Sequence, residues 1–265
     1  LSLLSTFSRC FLSLSHTHIH PHTHTHTHTH TRYASSDLKH NRKVVLLAVT
    51  NDGGALGFAS RALKRDPEIF TAAVQQNGML LAFASTELRD NFDVALAAVQ
   101  EESISAGWAL EFASVRLRNN RELVVAAISL SWEALQFASD ALRGAVDVAD
   151  VALSHASDHN CGDALQFCSP SLQCNRELVL KAVRRTGTAL RWASAALRND
   201  EDVVTEAVRR DGLALMYAGT ALRSNRAIVL IAVRQCGKAL MYASEDLQAD
   251  SGVVSVSVSK DIDGE

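Results

Sequence analysis

Proline is almost missing from this chain, with three among 265 residues (Pro21, Pro67 and Pro170). That scarcity excludes a proline-rich linker or recognition rod and leaves helices free to run. Aromatic residues make up only 6 %. The five cysteines (Cys10, Cys161, Cys168, Cys174 and Cys236) are odd in number and irregularly placed. They form no disulfide framework and read as free thiols in a reducing intracellular compartment. No apolar run is long enough to span a bilayer, so no membrane partner is expected. No glycine-rich phosphate loop follows a strand, and no nucleophile, base and acid assemble by spacing. The chain therefore reads as a non-enzyme without a cofactor. Its net charge of −3 does not by itself select a partner.

What is present is a repeat. Tyr33, Phe58, Phe83, Phe112, Phe137, Phe167, Trp192, Tyr217 and Tyr242 follow one another at intervals of 25, 25, 29, 25, 30, 25, 25 and 25 residues. A fixed period of that size signals a repeat array. With each aromatic set as position 0, Leu stands at +5 in all nine units, from Leu38 to Leu247, and Leu also stands at −2 from Leu56 to Leu240. Ala fills +1 in every unit but that of Cys168. Positions −2, +1 and +5 match an amphipathic helical stripe, which predicts a helix B of about ten residues.

Position +8 is Asn or Asp in every unit except that of Ala145: Asn41, Asp66, Asn91, Asn120, Asn175, Asp200, Asn225 and Asp250. These are helix N-caps, followed by first-turn acids such as Glu122 and Asp147 and then an apolar run, which together predict helix A. Gly53, Gly78, Gly107, Gly162, Gly187, Gly212 and Gly237 read as the left-handed stop ending helix A, with Trp132 the exception. Ser at +2 reads as a small packing residue with its hydroxyl bonded to the preceding turn. Pro170, inside a helix B, is expected to bend that helix and mark a hinge. Helices this short are marginal alone and must stack. The fold class is all-α, an α-solenoid of about 8–9 short helix pairs with a 25-residue period.

The array is assigned to residues 33–250. Residues 1–32 form a disordered leader whose His16-to-His30 tract holds eight of eleven histidines. Such a tract has metal-binding capacity, although a translated dinucleotide repeat accounts for it more simply. The first residue is Leu1, which reads as a fragment or incomplete start. Residues 251–265 read as a degenerate last repeat or disordered tail, because Val-Val-Ser-Val-Ser-Val-Ser alternates like a strand.

Four features rise above the repeat. Basic residues recur at +6: Lys39, Lys64, Arg89, Arg118, Arg143, Arg198 and Arg223. They suit the negative end of a helix, and also form a ladder along one edge. Residues 176–238 carry twelve Lys/Arg against six Asp/Glu, a possible stripe for polyanions. Helix B presents a variable stripe at −1, +3 and +6, exemplified by Gln136, Asp140 and Arg143; by Arg191 and Arg198; and by Met216 and Arg223. With Arg209 and Met241 these are the candidate partner-binding residues. Finally, an inserted loop groups His155, Asp158, His159 and Cys161, donors of the kind that hold Zn²⁺ but without a second half-site, so no metal centre is assigned.

The unit 175–198 has a Val/Leu pair, Ala-Val before Gly187, then Ala-Leu-x-aromatic-Ala-Ser-x-x-Leu. It is similar to the repeats of domain-of-unknown-function family 4116. The resemblance covers roughly residues 33–250 and weakens at Trp132, at Pro170 and after Gly252. That family carries no assigned activity, so the resemblance implies no mechanism. The expected function is a monomeric scaffold that binds a protein or peptide along the helix-B face. The alternative is binding of nucleic acid or another polyanion by the basic stripe at 176–238.

Overall fold

The computed structural model describes residue 32, residues 34–101, residue 103, residues 106–154 and residues 161–262. Among the described residues every regular element is a helix, and the architecture is an all-α repeat solenoid. The chain divides into two compact units, Leu1–Gln76 and Asn77–Glu265. The first contains the long helices α1 (Arg42–Asn51) and α2 (Pro67–Gln76). The second contains α3 (Phe92–Val99), α4 (Arg121–Leu130), α5 (Val146–Leu153), α6 (Arg176–Arg185), α7 (Glu201–Arg210), α8 (Arg226–Gln235) and α9 (Ser251–Ile262). Within each unit these pack side by side in chain order, α6 on α7 and α7 on α8.

The long helices start where the caps predict. Asn175 accepts the Leu178 N–H at 3.1 Å, and Asp200 accepts the Val203 N–H at 3.0 Å. Each cap satisfies one of the backbone donors that a helix start leaves without a partner. Ala145 supplies no such bond to α5. Burial follows a single stripe, as at Val203, Val204, Ala207 and Val208 of α7, all at 0 % exposure. These helices are amphipathic rather than buried all round, because residues such as Glu201 and Arg209 lie in solvent.

Helix B is not one helix. In its place each repeat of the second unit has a 3-10 helix ending at the aromatic, for example Gly212–Tyr217, and then a short turn of helix, for example Thr220–Arg223. The Ala-Ser pair between them is extended: Ala138 has ψ 158° and Ser139 has ψ 157°. Two bonds stabilise this break. The hydroxyls of Ser85, Ser114, Ser139 and Ser194 accept the N–H of Leu at +5, as Ser114 does from Leu117 at 3.1 Å. These serines are N-caps rather than packing residues bonded backwards, while Ser169 and Ser244 make no such bond. The N–H of the +2 residue donates to the carbonyl of position +6 in the preceding repeat. Ser114 to Arg89, Ser139 to Arg118, Ser169 to Arg143, Ser194 to Gln173, Gly219 to Arg198 and Ser244 to Arg223 all lie between 2.8 and 3.0 Å. Leu at −2, within the 3-10 helix, and Ala at +1, just past its end, are buried in most repeats, as at Leu215 and Ala218.

The repeated glycine is also not a left-handed stop. No described residue has positive φ. Glycine is the first or second residue of the 3-10 helix, where it lies against the next long helix. A Cβ on Gly107 would sit 2.7 Å from the Ala127 carbonyl oxygen, and one on Gly187 would sit 2.5 Å from that of Ala207. Trp132, in the same place, is accommodated by packing against Phe167 with ring centroids 6.0 Å apart.

Pro170 neither bends nor hinges a helix. It occupies the first turn of Pro170–Gln173, directly after Ser169, where a missing N–H costs nothing. The Val-Ser alternation after Asp250 builds helix α9 rather than a strand. Asp250 caps it by accepting the Gly252 and Val253 N–H groups at 2.8 and 3.0 Å. Val253 and Ser257, one turn apart, are buried, and the Ser257 hydroxyl donates to the Gly237 carbonyl at 3.1 Å. Residues 1–31, with the His-Thr tract, lie outside the described residues.

The close approach predicts a contrast between two glycines. Gly187→Ala forces a methyl into a helix carbonyl and is expected to destabilise the chain by about 1–3 kcal/mol. Gly57→Ala meets nothing within 4 Å, and is expected to be neutral or stabilising by up to about 1 kcal/mol. Urea unfolding midpoints of the two variants and the parent check this.

Candidate interaction face

In a 3-10 helix, residues three apart eclipse one another. Positions −4 and −1 therefore share an edge in every repeat of the second unit. Reading that edge in chain order gives Met79 and Ala82, Trp108 and Glu111, Glu133 and Gln136, Asp163 and Gln166, Thr188 and Arg191, Leu213 and Met216, then Lys238 and Met241. The edge is polarised. It is apolar at first, acidic and amide-bearing in the middle, and cationic with methionine at the end.

Successive repeats meet on this edge. Trp108 packs edge-on against Phe137 at 5.7 Å. The Asp163 carboxylate accepts from the Trp192 ring N–H at 3.2 Å and from Arg191 at 2.8 Å, while the Arg191 guanidinium lies 4.8 Å over the Trp192 ring. Glu111 is half-buried, and desolvation holds its carboxyl above the usual range despite the field of Arg118. Four large apolar side chains project into solvent at −1, 0 and +3: Phe83 (74 % exposed), Val115 (73 %), Met216 (40 %) and Met241 (65 %).

The predicted partner-binding residues divide between layers. Gln136, Arg191, Met216 and Met241 lie on the −4/−1 edge. Gln136 donates to the Glu133 carbonyl at 3.0 Å. Asp140, on the adjoining turn, forms an ion pair with Arg143. Arg209 is elsewhere, on α7, where it shares Glu206 with Arg184, each at 3.1 Å.

The +6 residues are less exposed than an edge ladder requires, because their side chains fold back onto the 3-10 helix of their own repeat. Arg89 donates to the carbonyls of Ala82 and Ala84, and Gln248 donates to those of Met241 and Ala243 at 3.2 and 2.9 Å. They thus satisfy C-terminal carbonyls of a helix, as a basic residue at that end is suited to do. In Arg118, Arg143, Arg198 and Arg223 the Nε is buried with no partner among the described residues.

Much of the basic stripe at 176–238 is neutralised across repeats. Arg176 pairs with Asp200 at 2.9 Å and Asp202 at 2.6 Å, and Lys181 pairs with Asp150 at 2.9 Å. The same helix-start pairing joins Arg42 to Asp66 in the first unit, and Arg121 to Asp147 and Arg226 to Asp250 in the second. The helix-start pairs escaped the sequence reading, since residues 24 or 26 apart give no signal until the stacking is known.

The loop candidates His155, Asp158 and His159 lie outside the described residues, and so does the side chain of Cys161. No group of metal-ligating side chains occurs among the described residues. Cys168, Cys174 and Cys236 are free, and burial pushes the Cys168 thiol up to about 12. No helix among the described residues is long and apolar enough to cross a membrane.

These features define a helical-repeat protein whose units stack by backbone contact. The chain belongs to the family described as Domain of unknown function (DUF4116), which matches residues 66–106, 102–143, 152–198 and 200–248, more than half its length. No curated protein and no solved structure matches it.

Asp200 both caps α7 and receives Arg176. The hydrogen bond from Arg176 is the larger cause, and the Val203 N–H the next, of a carboxyl held below its ordinary value. A carboxylate depressed in the folded state stabilises at pH above its unfolded value, and that contribution disappears as pH falls through the folded pKa. Asp200→Asn keeps the cap acceptor and removes the charge. It is expected to lower stability by a few tenths to about 1 kcal/mol at pH 7. The gap to the parent should close below the ordinary carboxylate range, as read from thermal unfolding across pH.

Proposed function

We propose that the chain is a non-enzymatic scaffold that binds a protein or peptide along its 3-10 layer. The observation carrying this reading is the exposure of Met216 and Met241, one repeat apart on the −4/−1 edge, and of Phe83 and Val115 elsewhere in the 3-10 layer of the second unit. Neighbouring exposed apolar side chains, such as the two methionines, mark interaction sites. The framework beneath them is repeated while the edge residues vary, which is how repeat proteins tailor recognition. Binding of nucleic acid by the basic stripe is the weaker reading, since Arg176, Lys181, Arg184, Arg191 and Arg209 are already paired with acids.

The test is capture from a lysate of the source organism, with nuclease, by the parent chain and by a Phe83→Asp/Val115→Asp/Met241→Asp variant. A protein partner should survive nuclease and fall at least tenfold with the variant. Retention by the variant, or recovery of nucleic acid in place of protein, contradicts the reading.

A further inference from the structure

We infer that the last three repeats of the second unit bind an acidic peptide segment carrying bulky apolar anchors. This rests on the reading of the 3-10 layer as an interaction face and names the partner for one end of it. The apolar half of the match is Met216 and Met241, one repeat apart on the same edge and 40 % and 65 % exposed. Leu213 and Lys238 lie on that edge by the three-residue turn, one beneath each methionine. Unbranched methionine adapts its shape to varied apolar partners.

The charged half of the match is cationic. Lys238 is exposed, and neither it, Arg198 nor Arg223 has an ion pair among the described residues. Arg89 and Gln248 at +6 reach the carbonyl of position −1, whereas Gln173 reaches those of −2 and +1 and Arg143 the Asp140 carboxylate. The register of Arg89 sets Arg223 beside Met216 and Arg198 beside Arg191. Cations and thioethers thus alternate along the edge, and complementary charge steers and orients such encounters. Single cations separated by apolar side chains suit carboxylates interspersed with apolar anchors. A phosphate backbone asks instead for a dense run of bases, and in this region the denser bases sit on the long helices beside Asp200, Asp202 and Glu206. Glu245 and Asp246 are exposed on the short turn that follows Met241.

The experiment is selection of random twelve-residue displayed peptides on the immobilised full chain, followed by fluorescence anisotropy of those recovered. The expected peptides carry net negative charge and Leu, Ile, Phe, Trp or Met. They should bind at least tenfold more weakly to Met216→Asp/Met241→Asp and to Lys238→Glu. All three substituted positions are exposed, and unchanged urea midpoints will show that the variants fold. Recovered peptides that are neutral or basic, or that ignore these variants and lose binding to Phe83→Asp/Val115→Asp, overturn the inference and leave the scaffold reading standing. Displacement of the acidic peptides by a single-stranded oligonucleotide, with steep salt dependence, overturns it in favour of a polyanion. If no peptide is enriched, both readings fail.

Discussion

In the second unit the glycines at the start of five 3-10 helices, Gly78, Gly107, Gly162, Gly187 and Gly212, lie so close to an alanine carbonyl of the next long helix that no side chain fits between them. The approach at Gly107, Gly162 and Gly187 leaves 2.5–2.7 Å for a notional Cβ. Everything else follows from that spacing. At that separation the Ser N–H at +2 reaches the +6 carbonyl of the preceding repeat, and a helix-start arginine reaches the next cap aspartate. The stack is therefore joined by backbone as well as by apolar side chains. Short helices that are marginal alone acquire stability only in such a stack. Where the glycine is replaced by Trp132, the contact becomes one of rings, and the cap at Ala145 is lost in the same repeat.

The sequence made the period, the long helices and their caps legible, because Asn175, Asp200 and Asn225 act through neighbours two or three residues away. It misplaced the other half of each repeat for a physical reason. A spacing of three belongs to both α- and 3-10 helices, so Leu215 and Ala218 fit either. Glycine after a helix has two readings, a left-handed turn or close contact, and Gly212 serves the second. Pro170 looks like a breaker until Ser169 is seen to start a new turn. The edge residues Arg191, Met216 and Met241 were visible as a variable series. Their neighbours Leu213 and Lys238 were not, since the eclipsed geometry that aligns them was unknown.

The edge has a physical polarity that composition averages away. Glu111, Glu133 and Asp163 lie in its middle, while Met216, Lys238 and Met241 lie at its end. The arginine-rich stretch that looks like one stripe is separated into two layers. Arg184 and Arg209 are occupied by Glu206 on the long helices, while Arg198 and Arg223 flank the 3-10 layer. Charge count alone joins what the fold divides.

The account's central claim is that neighbouring repeats are fastened by backbone bonds across the extended Ala-Ser break. Native-state amide hydrogen exchange tests it directly at Ser114, Ser139, Ser194, Gly219 and Ser244. Their N–H groups lie outside any helix, yet they should be protected to within about tenfold of core amides such as Val204 and Val229, opening only as repeats separate. Exchange at the rate of free amides would show that the repeats touch only through side chains, and would contradict the account.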